Sequence, residues 1–173
     1  MDNEARVFVA LGSNLPHRGV SGPALLSRAI AAMRAAGLRM RASSGAWETA
    51  AWPLDSGQPN YVNAVVELDP QGLSPQPLYE KLCQIERRFG RERRERWAPR
   101  TLDLDIVAMD GREGTFGDLT LPHPRMHERA FVLAPLAEIA PGWRHPSLGK
   151  TAQELLTGLA GEGYRRLGDL EVV

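Results

Sequence analysis

The chain has 173 residues, 43% of them hydrophobic and 24% charged, with Lys+Arg and Asp+Glu equal at 21 each. That length supports one domain, residues 1–173, with a core that needs no disulfide or structural metal, and the balanced charge argues neither for nor against a nucleic acid or a membrane as partner. A single cysteine, Cys83, excludes a disulfide framework and a cysteine-based zinc site.

Taken in order, "ARVFVALGS" alternates, is rich in β-branched residues, and predicts a strand ending at Gly12. "GPALLSRAIAAMRAAG" places Leu25, Leu26, Ala29, Ile30 and Met33 on one helical face and stops at Gly37. "LRMRASSGAWET" alternates again and reads as a second strand, followed by the loop "AAWPLDSGQPN" and a third strand, "YVNAVVELD". "SPQPLYEKLCQIERRFG" is a helix capped by Ser74 and closed by Gly90, with Cys83 expected as a buried thiol. An arginine-dense segment leads into the strand "TLDLDIVAMD". A short hairpin follows in "GREGTFGDLTLPHP", then a helix in "RMHERAFVLAPLAEIA" interrupted or ended at Pro135. A short helix and a weaker last strand complete the chain. The order β-α-β-β-α-β is an α+β, ferredoxin-like βαββαβ pattern. It predicts an antiparallel sheet with both helices on one face, plus C-terminal helices and the appended hairpin. No charged leader with an apolar run opens the chain, and no apolar stretch approaches the length of a membrane span. We therefore expect a soluble cytoplasmic protein.

Asp103 and Asp105 stand at i and i+2 of a strand and share one face, opposite Leu102, Leu104 and Ile106. Two neighbouring carboxylates repel, and aspartate is disfavoured in strands, so a cation should compensate. Arginines on a solvated outer face are one answer. A Mg²⁺ site is the other, since Mg²⁺ prefers oxygen ligands and completes its shell with water and substrate phosphates.

From Glu86 to Arg100 there are seven arginines against three glutamates, in a chain whose charges balance overall. Arg87 and Arg88 end a helix, where cations suit the dipole. The remainder can grip phosphate oxygens in pairs, the arrangement phosphoryl transfer uses. A nucleic-acid backbone is the alternative partner, and the interspersed glutamates count against it.

The run "RWAPRTLDLDIVAM" closely resembles the signature of the 6-hydroxymethyl-7,8-dihydropterin pyrophosphokinase family. "VALGSNL", "YVNAVVEL", "IERRFGR" and "LPHPRMHERAFVLAPLAEIAP" are similar to that family in the same order, from Val7 to Pro141. The resemblance implies a ferredoxin-like α+β fold and transfer of the β,γ-diphosphate of ATP to the pterin hydroxymethyl oxygen, releasing AMP, in folate biosynthesis. It implies two Mg²⁺ ions on Asp103 and Asp105, with Arg91 and Arg100 at the reacting groups. On the nucleotide side it implies Glu86, Arg93, Arg96, Trp97, Arg100, His123 and Arg129. For the pterin it implies Thr49, Tyr61, Asn63, Trp97 and Phe131. Pro124 stands where some members carry tyrosine, and Ala98 where glycine is frequent. ATP and the pterin alcohol would be the partners of a monomer, with neither nucleic acid nor membrane.

The residues suit that chemistry. Tyr61 and Phe131 can sandwich a flat ring system, each aromatic pair adding about 0.5–1.5 kcal/mol beyond burial. Asn63 offers an acceptor and two donors to a guanidine-amide edge and lies at i+2 from Tyr61, on the same side of the strand. His123 is expected to donate to a phosphate, and His127 to remain a surface residue. No Ser–His–Asp or Cys–His arrangement is apparent, so neither a covalent intermediate nor a side-chain base is expected. The loops "AAWPLDSGQPN" and "GRERRERWAPR" are poor in apolar anchors and are expected to act as lids. Two other functions share some of these features. An RNA-binding module would carry strand aromatics where this chain has carboxylates, and a metal-dependent phosphodiesterase would need more His and Asp ligands. "LGKTA" lacks the earlier glycine and the strand of a P-loop.

Overall fold

The computed structural model describes residues 5–50, 57–90 and 101–171. Its main sheet is antiparallel, in the order β5(Asp103–Met109)-β1(Val7–Ser13)-β4(Tyr61–Asp69)-β3(Ala46–Thr49)-β8(Tyr164–Gly168), with β2(Arg39–Ser43) also paired to β4. The hairpin β6(Gly114–Phe116)/β7(Leu119–Leu121) stands apart as a second sheet.

The alternating strand pattern sends side chains to two different cores. Val7, Val9 and Leu11 of β1 pack with Leu26, Ile30 and Met33 of α1(Gly22–Ala35) and with Leu78, Leu82 and Ile85 of α2(Pro75–Arg88). Phe8 of β1 and Val65 of β4 pack instead with Val132, Leu133 and Leu136 of α3(Ala130–Ile139) and with Leu155 and Leu156 of α4(Ala152–Thr157). The first two helices thus share one face, and the C-terminal helices cover part of the other.

Gly37 closes α1 with φ +89, a left-handed conformation that glycine adopts without strain. Its N–H donates to Arg34 O at 2.9 Å and that of Leu38 to Met33 O at 3.1 Å, the paired bonds of a Schellman motif. Ser74 does precede α2, but its side chain makes no capping bond. Cys83 is half-buried rather than buried.

Two elements differ from the sequence expectation. The single second strand is divided into β2 and β3 at Ser44-Gly45. Ser44 turns inward there, accepting at Oγ from Val65 N–H at 3.0 Å, and Gly45 N–H donates to Glu138 Oε2 at 2.8 Å. Pro135 neither ends nor interrupts α3, which runs through it to Ile139. Proline deletes one helical hydrogen bond, but Val132, Leu133, Ala134, Leu136 and Ala137 are all buried and hold the helix to the sheet. Thr151, in the segment that resembles a P-loop, caps α4 by accepting from Glu154 N–H at 3.1 Å.

Candidate active site

The two aspartates owe their direction to a β-bulge. Near its C-terminal end β5 pairs Ala108 with Phe8, but the next pair is Ile106 with Val9, so Val107 has no partner. One extra residue reverses which side chains point to which face. Beyond the bulge, Ile106 and Leu104 join the α1/α2 core, while Asp105 pairs with Ala10 and Asp103 with Gly12. Without it, the unshifted register would set Asp105 across from Leu11, inside the core. The carbonyl freed at the bulge is used as well: Val107 O accepts from His123 N–H at 2.7 Å and brings that histidine to the same face.

Gly12 is the centre of this surface. It has Asp103 on one side and Asn63 of β4 on the other. A Cβ on Gly12 would lie 3.1 Å from Asn63 Oδ1 and 3.8 Å from Tyr61 Cδ1. The missing side chain therefore lets the Asn63 amide and the Tyr61 ring come close to the strand. Asn63 is buried and its orientation is set by Thr49, whose Oγ1 accepts from Asn63 Nδ2 at 2.9 Å. Oδ1 is thereby left facing Gly12. Asn14, just beyond β1, is also buried and donates from Nδ2 to Pro59 O at 3.2 Å and Gln58 Oε1 at 3.3 Å, tying the strand end to the segment before Tyr61.

His123 and Arg129 complete the described part. His123 has its pKa pushed down to about 4, first by burial and then by the Arg129 charge, with Asp103 opposing. Its Nδ1 accepts from Arg125 N–H at 3.2 Å, so the neutral ring carries its proton on Nε2 and is a donor there. Arg129 has its pKa lowered by burial and by Arg125, while Asp105 and Asp103 pull the other way. Its guanidinium lies over the Phe131 ring at 5.3 Å. Phe131 is 37% exposed at the start of α3.

The structure thus gathers Asp103, Asp105, His123 and Arg129 around one end of the sheet face, with Tyr61, Asn63 and Thr49 across Gly12. Glu86 is elsewhere: it is 4% exposed on α2, in the layer behind β5. His127 is not a simple surface residue, since its ring meets His145 edge-on at 6.0 Å. Arg91, Arg93, Arg96, Trp97 and Arg100 lie outside the described residues, as does most of each expected lid. Gly12 and Asn14 belong to a stretch that the sequence reads as a turn near the site without giving either residue a role; those roles depend on strand register. Asp103 and Asp105 provide hard oxygen donors on one face of β5, a set that suits Mg²⁺. No group of three or more His, Cys, Asp or Glu able to hold a metal occurs among the described residues.

The model of the family described as 7,8-dihydro-6-hydroxymethylpterin-pyrophosphokinase (HPPK) matches residues 8–141. A protein of Synechocystis sp. named 2-amino-4-hydroxy-6-hydroxymethyldihydropteridine pyrophosphokinase is 43% identical over 151 residues, covering 86% of this chain and 73% of its own. A protein of the same name from Pseudomonas aeruginosa is 42% identical over 163 residues, covering 94% of this chain and 96% of its own. The crystal structure of Plasmodium falciparum HPPK-DHPS superposes with a TM-score of 0.70 over 91% of this chain. This chain spans only 41% of that one, and at 12% identity the likeness concerns the fold alone. A family match that runs from the core of β1 through α3, and so takes in both aspartates, the bulge and Asn63, means that the chain belongs to the HPPK family.

Proposed function

We propose that this chain transfers the β,γ-diphosphate of ATP to the hydroxymethyl group of 6-hydroxymethyl-7,8-dihydropterin, a step of folate biosynthesis. The observation that carries the reading is the juxtaposition across Gly12 of a carboxylate pair and a buried, oriented amide. One half suits a metal-bound polyphosphate and the other a heterocyclic edge.

In this reading Asn63 binds the pterin edge, with Thr49 beside it, and Tyr61, Phe131 and Trp97 enclose the ring. Arg129 and His123 Nε2–H donate to the phosphates, joined by Arg93, Arg96 and Trp97 on the nucleotide side. Arg91 and Arg100 neutralise charge at the reacting groups. Asp103 and Asp105 would hold two Mg²⁺ ions, which supply charge neutralisation at the bridging oxygens and lower the pKa of the alcohol. The alcohol oxygen forms a bond to the β-phosphorus as the bond from that phosphorus to the α,β-bridging oxygen breaks. The bridging oxygen leaves with AMP, and the hydroxyl proton is lost to solvent. Positioning of two substrates and charge stabilisation account for the rate, without a covalent enzyme intermediate. Residues 1–173 form one such domain, acting as a cytoplasmic monomer on two small substrates. Among the described residues no helix is long and apolar enough to cross a membrane.

An assay for AMP release from ATP, with and without the pterin alcohol and Mg²⁺, tests the proposal. AMP should appear only with all three present, and Asp103→Ala and Asp105→Ala should each abolish it while the fold survives. Substantial turnover in either variant would defeat the metal assignment.

A further inference from the structure

We infer that Glu86 is a positioning residue that holds the aspartate-bearing strand from its outer edge, rather than a ligand of the nucleotide. The inference rests on the reaction proposed above for what the strand is positioned to do.

Glu86 lies near the end of α2, on the buried side with Leu82 and Ile85. Its Oε2 accepts from the backbone N–H of Leu104 at 2.9 Å, a bond closed to solvent between residues 18 apart in sequence. Leu104 is the residue between Asp103 and Asp105. β5 is an edge strand of the main sheet, with β1 along its inner side. Backbone groups of successive residues in an antiparallel strand point alternately to either side. Leu104 therefore turns its N–H outward, away from β1, where no strand among the described residues meets it. Glu86 supplies the acceptor that a further strand would have supplied.

Such support matters most at this point. The bulge at Val107 disrupts the ladder two residues beyond Asp105, and a bulged strand bends locally. The stretch 103–105 is then fixed by β1 on one side and by the Glu86 carboxyl on the other. The two aspartates project to the opposite face from Leu104, so any swing of the strand there would spread or turn their carboxylates. A group 4% exposed in the α1/α2 layer, across the strand from those carboxylates, is poorly placed to meet a nucleotide lying on them.

The test uses the full chain with Glu86→Gln, which keeps an oxygen acceptor, and Glu86→Met, which keeps bulk without one. Amide exchange of Leu104 is read by NMR without metal or nucleotide. Dissociation constants for a non-hydrolysable ATP analogue and for the pterin alcohol are measured separately, and then kcat. Glu86→Gln should keep Leu104 protection, both dissociation constants and kcat within about threefold of wild type. Glu86→Met should lose at least about tenfold in Leu104 protection and in kcat, with both dissociation constants held within about threefold. Unchanged Leu104 protection in Glu86→Met would overturn the inference. So would a loss of about tenfold or more in nucleotide affinity in Glu86→Gln with Leu104 still protected, because the charge itself would then be contacting the nucleotide. If Glu86→Met does not fold, the scalar coupling in wild type between the Leu104 nitrogen and the Glu86 carboxyl carbon decides, and its absence refutes the bond. Failure of wild type to release AMP would remove the proposed reaction, while the Leu104 measurements would still decide where Glu86 acts.

Discussion

Gly12→Ala is the sharpest perturbation available at this site, because it adds a single methyl to the pocket floor. The backbone at Gly12 does not require glycine, so the substitution introduces no conformational strain of its own. The new Cβ would lie 3.1 Å from Asn63 Oδ1, closer than carbon and oxygen comfortably approach, and 3.8 Å from the Tyr61 ring, an ordinary contact. Asn63 must give way by a few tenths of an ångström. It is restrained by its 2.9 Å bond to Thr49, so the shift compromises the acceptor it offers to ligand. A buried hydrogen bond lost or badly aligned costs about 1–3 kcal/mol, or about 5- to 150-fold in binding. The cost should fall on the pterin alone. Alanine also reduces the freedom of the unfolded chain, so global stability should change by no more than about 1 kcal/mol. Fluorescence titration with the pterin alcohol, a parallel titration with a non-hydrolysable ATP analogue, and a urea melt separate these effects. Pterin affinity within about twofold of wild type would refute the reasoning, as would loss of both affinities along with more than about 3 kcal/mol of stability, since Gly12 would then be a packing position.

Thr49→Val should leave Asn63 Nδ2 without its buried acceptor and cost about 1–3 kcal/mol in a urea melt, with pterin binding weakened as the amide loses its orientation. A stability change below about 0.5 kcal/mol would contradict that. His123 should titrate near 4 in an NMR experiment on the metal-free protein, because burial and then Arg129 disfavour its charged form. Its folded pKa lies below the ordinary value, so its contribution to stability is full above about pH 6.5 and is lost as pH falls through that range toward 4; a measured value of 6 or more would dispose of the burial argument. Burial pushes the Glu138 carboxyl up, but bonds from Arg166, Gly45 and Trp47 and the Arg166 charge outweigh that and hold its pKa below the usual carboxylate range. Its contribution should therefore be present above about pH 4.3 and decline below it. Melting temperature followed from pH 6 to 3 should show a shallower acid decline in Glu138→Gln, and an unchanged decline would argue against this stabilisation of the Glu138 carboxylate.

What could be read from the sequence was what depends on local pattern. The apolar spacing of Leu26, Ile30 and Met33, and the left-handed glycine at 37, place α1 within about a residue of where the structure has it. Asp103 and Asp105 announced themselves as two charges on one side of an apolar strand. What could not be read was set by partners distant in the chain. The break at Ser44-Gly45 depends on Val65 and on Glu138, and alternation runs through it undisturbed. The passage of α3 through Pro135 depends on burial against the sheet, which outweighs a local propensity. The bulge at Val107 leaves no mark in "DLDIVAMD", yet it determines which face receives the aspartates. The Glu86–Leu104 bond and the close approach of Asn63 to Gly12 are likewise facts of register, not composition.

The central claim is that the face of the sheet at Gly12 joins a metal-bound polyphosphate, gripped by Asp103 and Asp105, to a ring held by Asn63. A crystal structure with Mg²⁺, a non-hydrolysable ATP analogue and the pterin alcohol measures it directly. It should show both carboxylates at about 2.0–2.1 Å from Mg²⁺ that also binds the phosphates, with the alcohol oxygen aimed at the β-phosphorus and the ring over Gly12. Phosphates bound away from β5, with both carboxylates turned to solvent, would contradict it.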